Sequence, residues 1–311
     1  MRVFSIPMRT RFRGITVREG VLLRGPAGWG EWSPFLDYDS PAEVAPWLAA
    51  AREAADLGWP TPLRDSVPVN VTVPVVAPER AHAIVLAGGC RTAKVKVGES
   101  SLAEDAARLE AVRDALGPGG RIRIDVNGLW DVDTAVAAIK ELDRAAGGLE
   151  YVEQPVAAVE DLAAVRRRVD VPIAADESIR RAEDPLRVKA LEAADVAVLK
   201  VQPLGGVRAC LRIAERIGLP AVVSSALETS IGIAAGVALA AALPELPYAC
   251  GLATVQLLAD DIAAASLVPV DGALPVIRPA PDELALERLA ATPERTGYWE
   301  SRLRSVQDRP L

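Results

Sequence analysis

Five short apolar runs in this chain each end on an acidic or basic side chain, and the ends recur at a nearly constant step. The runs are Thr92-Ala-Lys-Val-Lys96, Arg121-Ile-Arg-Ile-Asp125, Leu149-Glu-Tyr-Val-Glu153, Val171-Pro-Ile-Ala-Ala-Asp176 and Val196-Ala-Val-Leu-Lys200. Successive ends lie 29, 28, 23 and 24 residues apart. That step is the length of a strand, a loop and a helix, so the pattern predicts consecutive βα units. In a closed parallel barrel the C-terminal strand ends converge on one mouth. Three carboxylates between two amines at that mouth point to a metal ion with an acid and a base beside it.

From Val67 onward the reading is βα throughout. Strands are expected at 67–76, 92–98, 121–127, 149–154, 171–176, 196–202, 220–225 and 249–253. Helices are expected at 101–116, 134–146, 159–169, 185–194, 207–217 and 230–243. Eight strands alternating with helices predict a (β/α)8-type barrel over 67–269, with modification allowed in its last unit. Residues 1–66 read differently. Short strands at 3–6, 15–17 and 21–24 are followed by a capping box, Ser40-Pro-Ala-Glu43, that opens a helix to about Asp56. This is an α+β capping domain, and the Pro- and charge-rich tail from about 270 to 311 is expected to return to it. A doubly wound sheet is the alternative, but no GxGxxG follows the first strand.

The net charge of −7 and the lack of a Lys/Arg cluster among aromatics argue against a nucleic-acid partner. The longest uncharged apolar run, 231–243, is too short to span a bilayer, and the N-terminus carries no signal-peptide pattern. Cys90, Cys210 and Cys250 are far apart with no CxxC, so buried small side chains in a reducing cytoplasm are expected.

The chemistry concentrates at the strand ends. Asp125, Glu153 and Asp176 offer only oxygen donors, which suit Mg²⁺, with Mn²⁺ able to substitute. His82 is the only histidine and lies in a helical pattern, so no His–Asp base serves the site. Lys94 and Lys96 are two apart on a strand and share a face. Two crowded, partly buried ammonium groups should bring one lysine pKa down toward the range of a working base. Lys200 should stand across the mouth. Ser224 and Ser225 end the seventh strand ahead of a helix, where hydroxyls and backbone N–H groups are placed to bind a substrate carboxylate. Gly206, opening the sixth helix, permits close backbone approach. Within Gly28-Trp-Gly-Glu-Trp32, core packing is the expectation for both tryptophans.

Together, Lys94-Val-Lys96, Asp125-Val-Asn127, Glu153-Gln-Pro155, Asp176-Glu-Ser178 and Lys200-Val-Gln-Pro resemble the enolase superfamily, in its muconate-lactonizing subgroup. The resemblance covers nearly the whole chain. It implies a cap closing over the barrel mouth and a reaction that begins with removal of a proton α to a carboxylate, through an enediolate, with Mg²⁺ as cofactor. Val69-Asn-Val-Thr-Val-Pro74, Lys200-Val-Gln-Pro-Leu-Gly-Gly206 and the 224–232 stretch look most like the members that dehydrate a hydroxycyclohexadiene carboxylate to an aromatic product in menaquinone biosynthesis. By that resemblance Lys96 is the base and then the acid, Lys94 tunes it, and Lys200 is a cation on the opposite face. Asn127 and Gln154 support the metal ligands, and the protein is a monomer. Racemisation of N-succinyl or other N-acyl amino acids is the nearest rival. Dipeptide epimerases carry an acidic motif at the eighth strand, which Ala249-Cys-Gly-Leu-Ala-Thr-Val lacks. A Schiff-base lysine enzyme and an inactive binding barrel are the remaining alternatives.

Overall fold

The computed structural model describes residues 1–181 and 185–307. The chain opens with an antiparallel meander, β1 (Arg2–Phe12), β2 (Ile15–Gly25) and β3 (Gly28–Trp32). Helix α1 (Pro41–Arg52) follows. Its capping box is formed as the sequence indicates: Ser40 accepts from the Glu43 backbone while the Glu43 carboxylate accepts from the Ser40 backbone. A π-helical turn, Glu53–Leu57, ends it at Gly58. Two short strands come next, β4 (Ser66–Pro68) and β5 (Val71–Val73).

The βα series then runs α2 (Pro78–Gly88), β6 (Thr92–Lys96), α3 (Leu102–Leu116), β7 (Arg121–Asp125), α4 (Val132–Ala146), β8 (Tyr151–Glu153) and α5 (Val159–Arg166). It continues through β9 (Ile173–Ala175), α6 (Glu177–Arg180), α7 (Arg187–Ala190), β10 (Val196–Lys200), α8 (Val207–Ile217), β11 (Ala221–Ser224) and α9 (Ser230–Ala242). Strands β5 to β11 form one parallel sheet in sequential order. Parallel bridges Ser224↔Gly251 and Val69↔Cys250 close it into a barrel. The tail contributes β12 (Ala273–Pro275), which pairs with β4, then α10 (Glu283–Arg288) and α11 (Pro293–Gln307).

Several expectations are corrected. The strand read at 67–76 is two pieces, β4 and β5, only the second of which is a barrel stave. The eighth strand, read at 249–253, is reduced to the two closing bridges. Gly251 has to lie against Ser224, since a Cβ there would meet the Ser224 Oγ at 2.6 Å. No helix follows; a 3₁₀ turn, Ala253–Leu257, leads the chain back to β1 through the Met8↔Leu258 bridge. The helix read at 185–194 is the single turn α7, and Glu192 beyond it adopts φ 49°. β3 lies where no strand was expected. The tail is no loose return: α11 buries Trp299 edge-on against Trp32 at 5.6 Å. Residues 308–311 of that tail lie outside the described residues.

Alternation along the staves sorts the side chains. Ala93, Val95, Ile122, Ile124, Val152, Leu199 and Val223 face the helices in the main core. Tyr151, Ala174, Val196, Val198 and Val222 pack together in a small separate cluster. The same parity that sends Val196 and Val198 one way sends Lys200 with them, so the charged strand ends cap this inner cluster.

Candidate active site

Register places the key side chains side by side. Lys96 is the Cα partner of Asp125, Asp125 of Glu153, and Lys200 of Ser224. Asp176 follows directly after β9. All six of Lys94, Lys96, Asp125, Glu153, Asp176 and Lys200 are buried. The Lys94 Nζ donates to both Glu153 oxygens at 2.9 Å and lies 3.2 Å from the Asp125 Oδ2. The Lys96 Nζ donates to the same Asp125 oxygen at 2.6 Å and to the Asn127 side chain. The Lys200 Nζ donates to the Asp176 Oδ2 at 2.5 Å, while the Arg180 Nε takes the Asp176 Oδ1 at 2.9 Å.

Asn127 and Gln154 both sit at positive φ, 53° and 41°. This turns their side chains back along the barrel rim. The Asn127 Nδ2 reaches the Glu177 Oε1 at 3.1 Å. The Gln154 Oε1 accepts from the Asp176 and Ser178 backbones at 3.0 and 3.1 Å, so it fixes the turn that aims Asp176.

Burial works against every charge here, and the neighbours decide the outcome. Lys94 is held well above the usual lysine range despite its burial, by Glu153 and Asp125. Lys96 is shifted the other way: burial lowers it and the Lys94 ammonium adds to the drop, against the pull of Asp125. Asp125 stays far below the usual carboxylate range although burial opposes this, because Lys96 and Lys94 flank it. Asp176 is likewise lowered against its burial by Arg180 and Lys200. Glu153 is pushed up to about 7, by burial first and then by the Asp125 charge. The two lysines of β6 thus differ in proton affinity, and the outer one is the weaker holder.

Among the described residues, no three His, Cys, Asp or Glu side chains are drawn into a closed metal cage. The carboxylates are instead shared out among lysines and an arginine. The donor set still fits a hard cation: it is all oxygen, it comes from neighbouring staves, and a Lys94 ammonium already bridges Asp125 and Glu153. The rise in Glu153 under the Asp125 charge shows carboxylates near enough to repel, which a divalent ion would relieve.

A pocket over these groups is lined by Lys94, Lys96, Asp125, Asn127, Lys200, Ser224 and Ser225. Lys96 and Lys200 come from staves β6 and β10, on opposite sides of the barrel. The rest of the wall was missed in the sequence: Phe12, Arg13 and Phe35 from the cap, Thr72 of β5, and Ala226, Leu227, Gly251 and Thr254. The Arg13-Gly14 hairpin, both residues at positive φ, was the one available signal.

The start of α9, expected to help hold a substrate carboxylate, is already filled, and so is the start of α8. At α9, Glu31 of β3 accepts from the Thr229 and Gly232 backbones, both at 3.1 Å, and from the Thr229 hydroxyl at 2.5 Å. At α8, Glu53 accepts from the Val207 backbone at 2.6 Å, and the absence of a Cβ at Gly206 leaves room for it. Gly206 therefore serves cap docking and does not line the pocket. Ser224 and Ser225 do line it, and the Ser225 hydroxyl bonds that of Thr254 at 2.6 Å. Beside Glu31, the buried Arg18 donates to the Leu227 and Ala226 carbonyls at 3.0 Å each and to Ser33. The cap thus grips the 226–229 loop of the barrel, where Leu227 is at φ 61°.

Comparison with known proteins agrees with this architecture. The family models described as enolase N-terminal domain-like and enolase C-terminal domain-like match residues 3–55 and 77–283. Muconate lactonizing enzyme from Pseudomonas fluorescens superposes with a TM-score of 0.79 at 25% identity, covering 93% of this chain and 97% of that one. N-succinyl Arg/Lys racemase from Bacillus cereus gives 0.79 at 21%, covering 93% and 96%. The class is an enolase-type cap on an enolase-type barrel. Two relatives narrow it. The o-succinylbenzoate synthase of Thermobifida fusca is 67% identical, covering 98% of this chain and 95% of that one, and that of Mycolicibacterium smegmatis is 55% identical, covering 97% and 94%. The chain belongs to the o-succinylbenzoate synthase family of the enolase superfamily.

Proposed function

We propose that the chain dehydrates 2-succinyl-6-hydroxy-2,4-cyclohexadiene-1-carboxylate to 2-succinylbenzoate, a step of menaquinone biosynthesis, as a magnesium-dependent cytoplasmic monomer. The observation that carries this reading is the pairing of Lys96 and Lys200 on opposite staves of one pocket beside Asp125.

Asp125, Glu153 and Asp176 would hold Mg²⁺, whose charge would offset the negative charge developing on the ring carboxylate as the α-proton leaves. Lys96, the buried amine with the lowered pKa, takes that proton in its neutral form. The C–H electron pair first spreads into the ring carboxylate and then forms the new ring double bond as the C–O bond to the hydroxyl breaks. The Lys96 ammonium returns the proton to the departing hydroxide, so water leaves from the same face and the ring becomes aromatic. Lys200, fixed by Asp176, presents a positive charge to the opposite face. Lys94 is locked to Glu153 and keeps a second positive charge against Lys96.

Asp125, Glu153, Asp176 and Glu177 face Lys94, Lys200, Arg180 and the neutral Lys96. A divalent cation would leave this set one charge positive, the complement of the ring carboxylate, so the second carboxylate of the substrate calls for a cation outside the set.

The test is to follow aromatisation of the cyclohexadiene by absorbance, with Mg²⁺ and after EDTA treatment. Turnover that is lost with EDTA and restored by Mg²⁺ is expected, and turnover indifferent to both would refute the metal role. Because both lysines line the pocket, N-succinyl amino acids in deuterated water form the comparison arm; faster α-deuteration there than dehydration would favour the racemase reading.

A further inference from the structure

We propose that Arg13, at the tip of the β1–β2 hairpin of the cap, is the binding residue for the distal carboxylate of the substrate, the one on the succinyl arm. This rests on the dicarboxylate reading above and names the group that reads its second charge.

Elimination is the first argument. The three lysines of the pocket are each bonded to a carboxylate of the site itself. The backbone N–H groups at the starts of α8 and α9 are taken by Glu53 and Glu31. Arg18 lies close by but is fully engaged with carbonyl and hydroxyl oxygens, and it does not line the pocket. Arg13 lines it and lacks a hydrogen bond among the described residues. Its nearest acid, Asp37, stands at 4.0 Å and is better bonded to Arg181 at 2.6 Å.

Local electrostatics are the second argument. Arg13 and Arg18 both stack on the Phe35 ring, with their guanidinium carbons 4.6 and 4.7 Å from its centroid. Arg18 is offset by Glu31 and Glu228, whereas Arg13 has only Asp37 at 4.0 Å, so of the two it is Arg13 that is short of an anion. The Arg13 side chain is 24% exposed and lines the pocket. A guanidinium anchored over an aromatic ring still offers two parallel N–H donors, the geometry that a carboxylate accepts. Arg9 and Arg11 precede it on the same hairpin, so an otherwise acidic protein presents a local basic rim to an approaching dianion.

The experiment compares wild type, Arg13→Met and Arg13→Lys. In steady-state turnover of the cyclohexadiene, Arg13→Met should raise KM about tenfold or more with kcat changed by less than about threefold, and Arg13→Lys should recover part of the loss. Calorimetric binding of 2-succinylbenzoate and of its analogue with the distal carboxylate replaced by a primary amide supplies a readout that needs no turnover. Wild type should favour the dianion about tenfold or more, and Arg13→Met should show no preference. An unchanged KM in Arg13→Met, or equal binding of acid and amide by wild type, would overturn the assignment. A wild-type chain that favours the dianion yet shows no turnover would instead count against the proposed reaction and leave Arg13 supported.

Discussion

Replacing Arg18 with methionine tests how far the cap governs the barrel. Arg18 is 2% exposed, and burial pulls its pKa down only to about 10, so it carries its charge at pH 7. The substitution keeps most of the stem but removes donors from the Leu227, Ala226 and Ser33 carbonyls, all in the dry seam between cap and barrel. Each buried acceptor left without a donor costs about 1–3 kcal/mol. Glu31 and Glu228 lose the positive charge that offsets them and take up protons instead of remaining unpaired anions, which caps the total. The expected loss is about 3–5 kcal/mol, the lower half of the sum for three buried acceptors. For a chain of this length that is a fall in Tm of about 5–8 °C. Because Ala226 and Leu227 line the pocket, kcat/KM should also fall at least about tenfold. Thermal unfolding followed by near-UV circular dichroism, with kinetics in parallel, is the assay. A Tm within about 2 °C of wild type would show that the seam does not depend on the guanidinium, and the reasoning would fail.

Other expected outcomes follow from the same geometry. Glu31 is pushed up to about 7 from 4.5, first by burial and then by the Glu228 charge. Its folded form therefore holds a proton that the unfolded chain has released between those two values, so its contribution to stability is full below pH 4.5 and is lost as the pH rises to 7. Glu31→Gln should flatten that part of the urea-midpoint profile; an identical slope in the variant would place the source elsewhere. Lys96→Ala should lower turnover by about 10²–10⁴ with the fold retained, and a variant keeping a tenth of wild-type rate would remove Lys96 as the base. Lys200→Ala should cost about 10²–10³ in kcat, as for lost oxyanion donors, and wild-type dehydration in it would take Lys200 out of the mechanism. Asp125→Asn should weaken Mg²⁺ binding in titration calorimetry by about tenfold or more, and an unaltered isotherm would dismiss Asp125 as a ligand.

What could be read in the chain divides along physical lines. Lys96, Asp125, Glu153, Asp176 and Lys200 were legible because each ends an apolar run, and strand periodicity fixes both its face and its end of the barrel. The Ser40–Glu43 capping box was legible because it is local. The eighth stave was overread because Ala249-Cys-Gly-Leu has strand composition, while its pairing depends on Gly251 meeting Ser224. Glu31, Glu53 and Arg18 left no trace, since their partners across the cap–barrel seam lie 154 to 209 positions away and nothing in the local pattern marks a carboxylate that will end on another domain's helix. The backbone N–H groups at the start of α9 are taken for that reason: the positive helix end is real, but the chain supplies its own anion, and of the expected carboxylate site only the Ser224 and Ser225 hydroxyls face the pocket.

The contact between Trp299 and the meander sets an order of events during synthesis. The Trp299 indole N–H bonds Glu19 across 280 positions of chain. At ordinary elongation rates that interval is on the order of 15–60 s. Although the ribosome makes the cap first, its apolar face lacks the α11 covering until the final helix emerges. A segment made early is thus completed late, and a nascent chain stalled before residue 293 would leave the Trp32 face of the cap without its Trp299 partner.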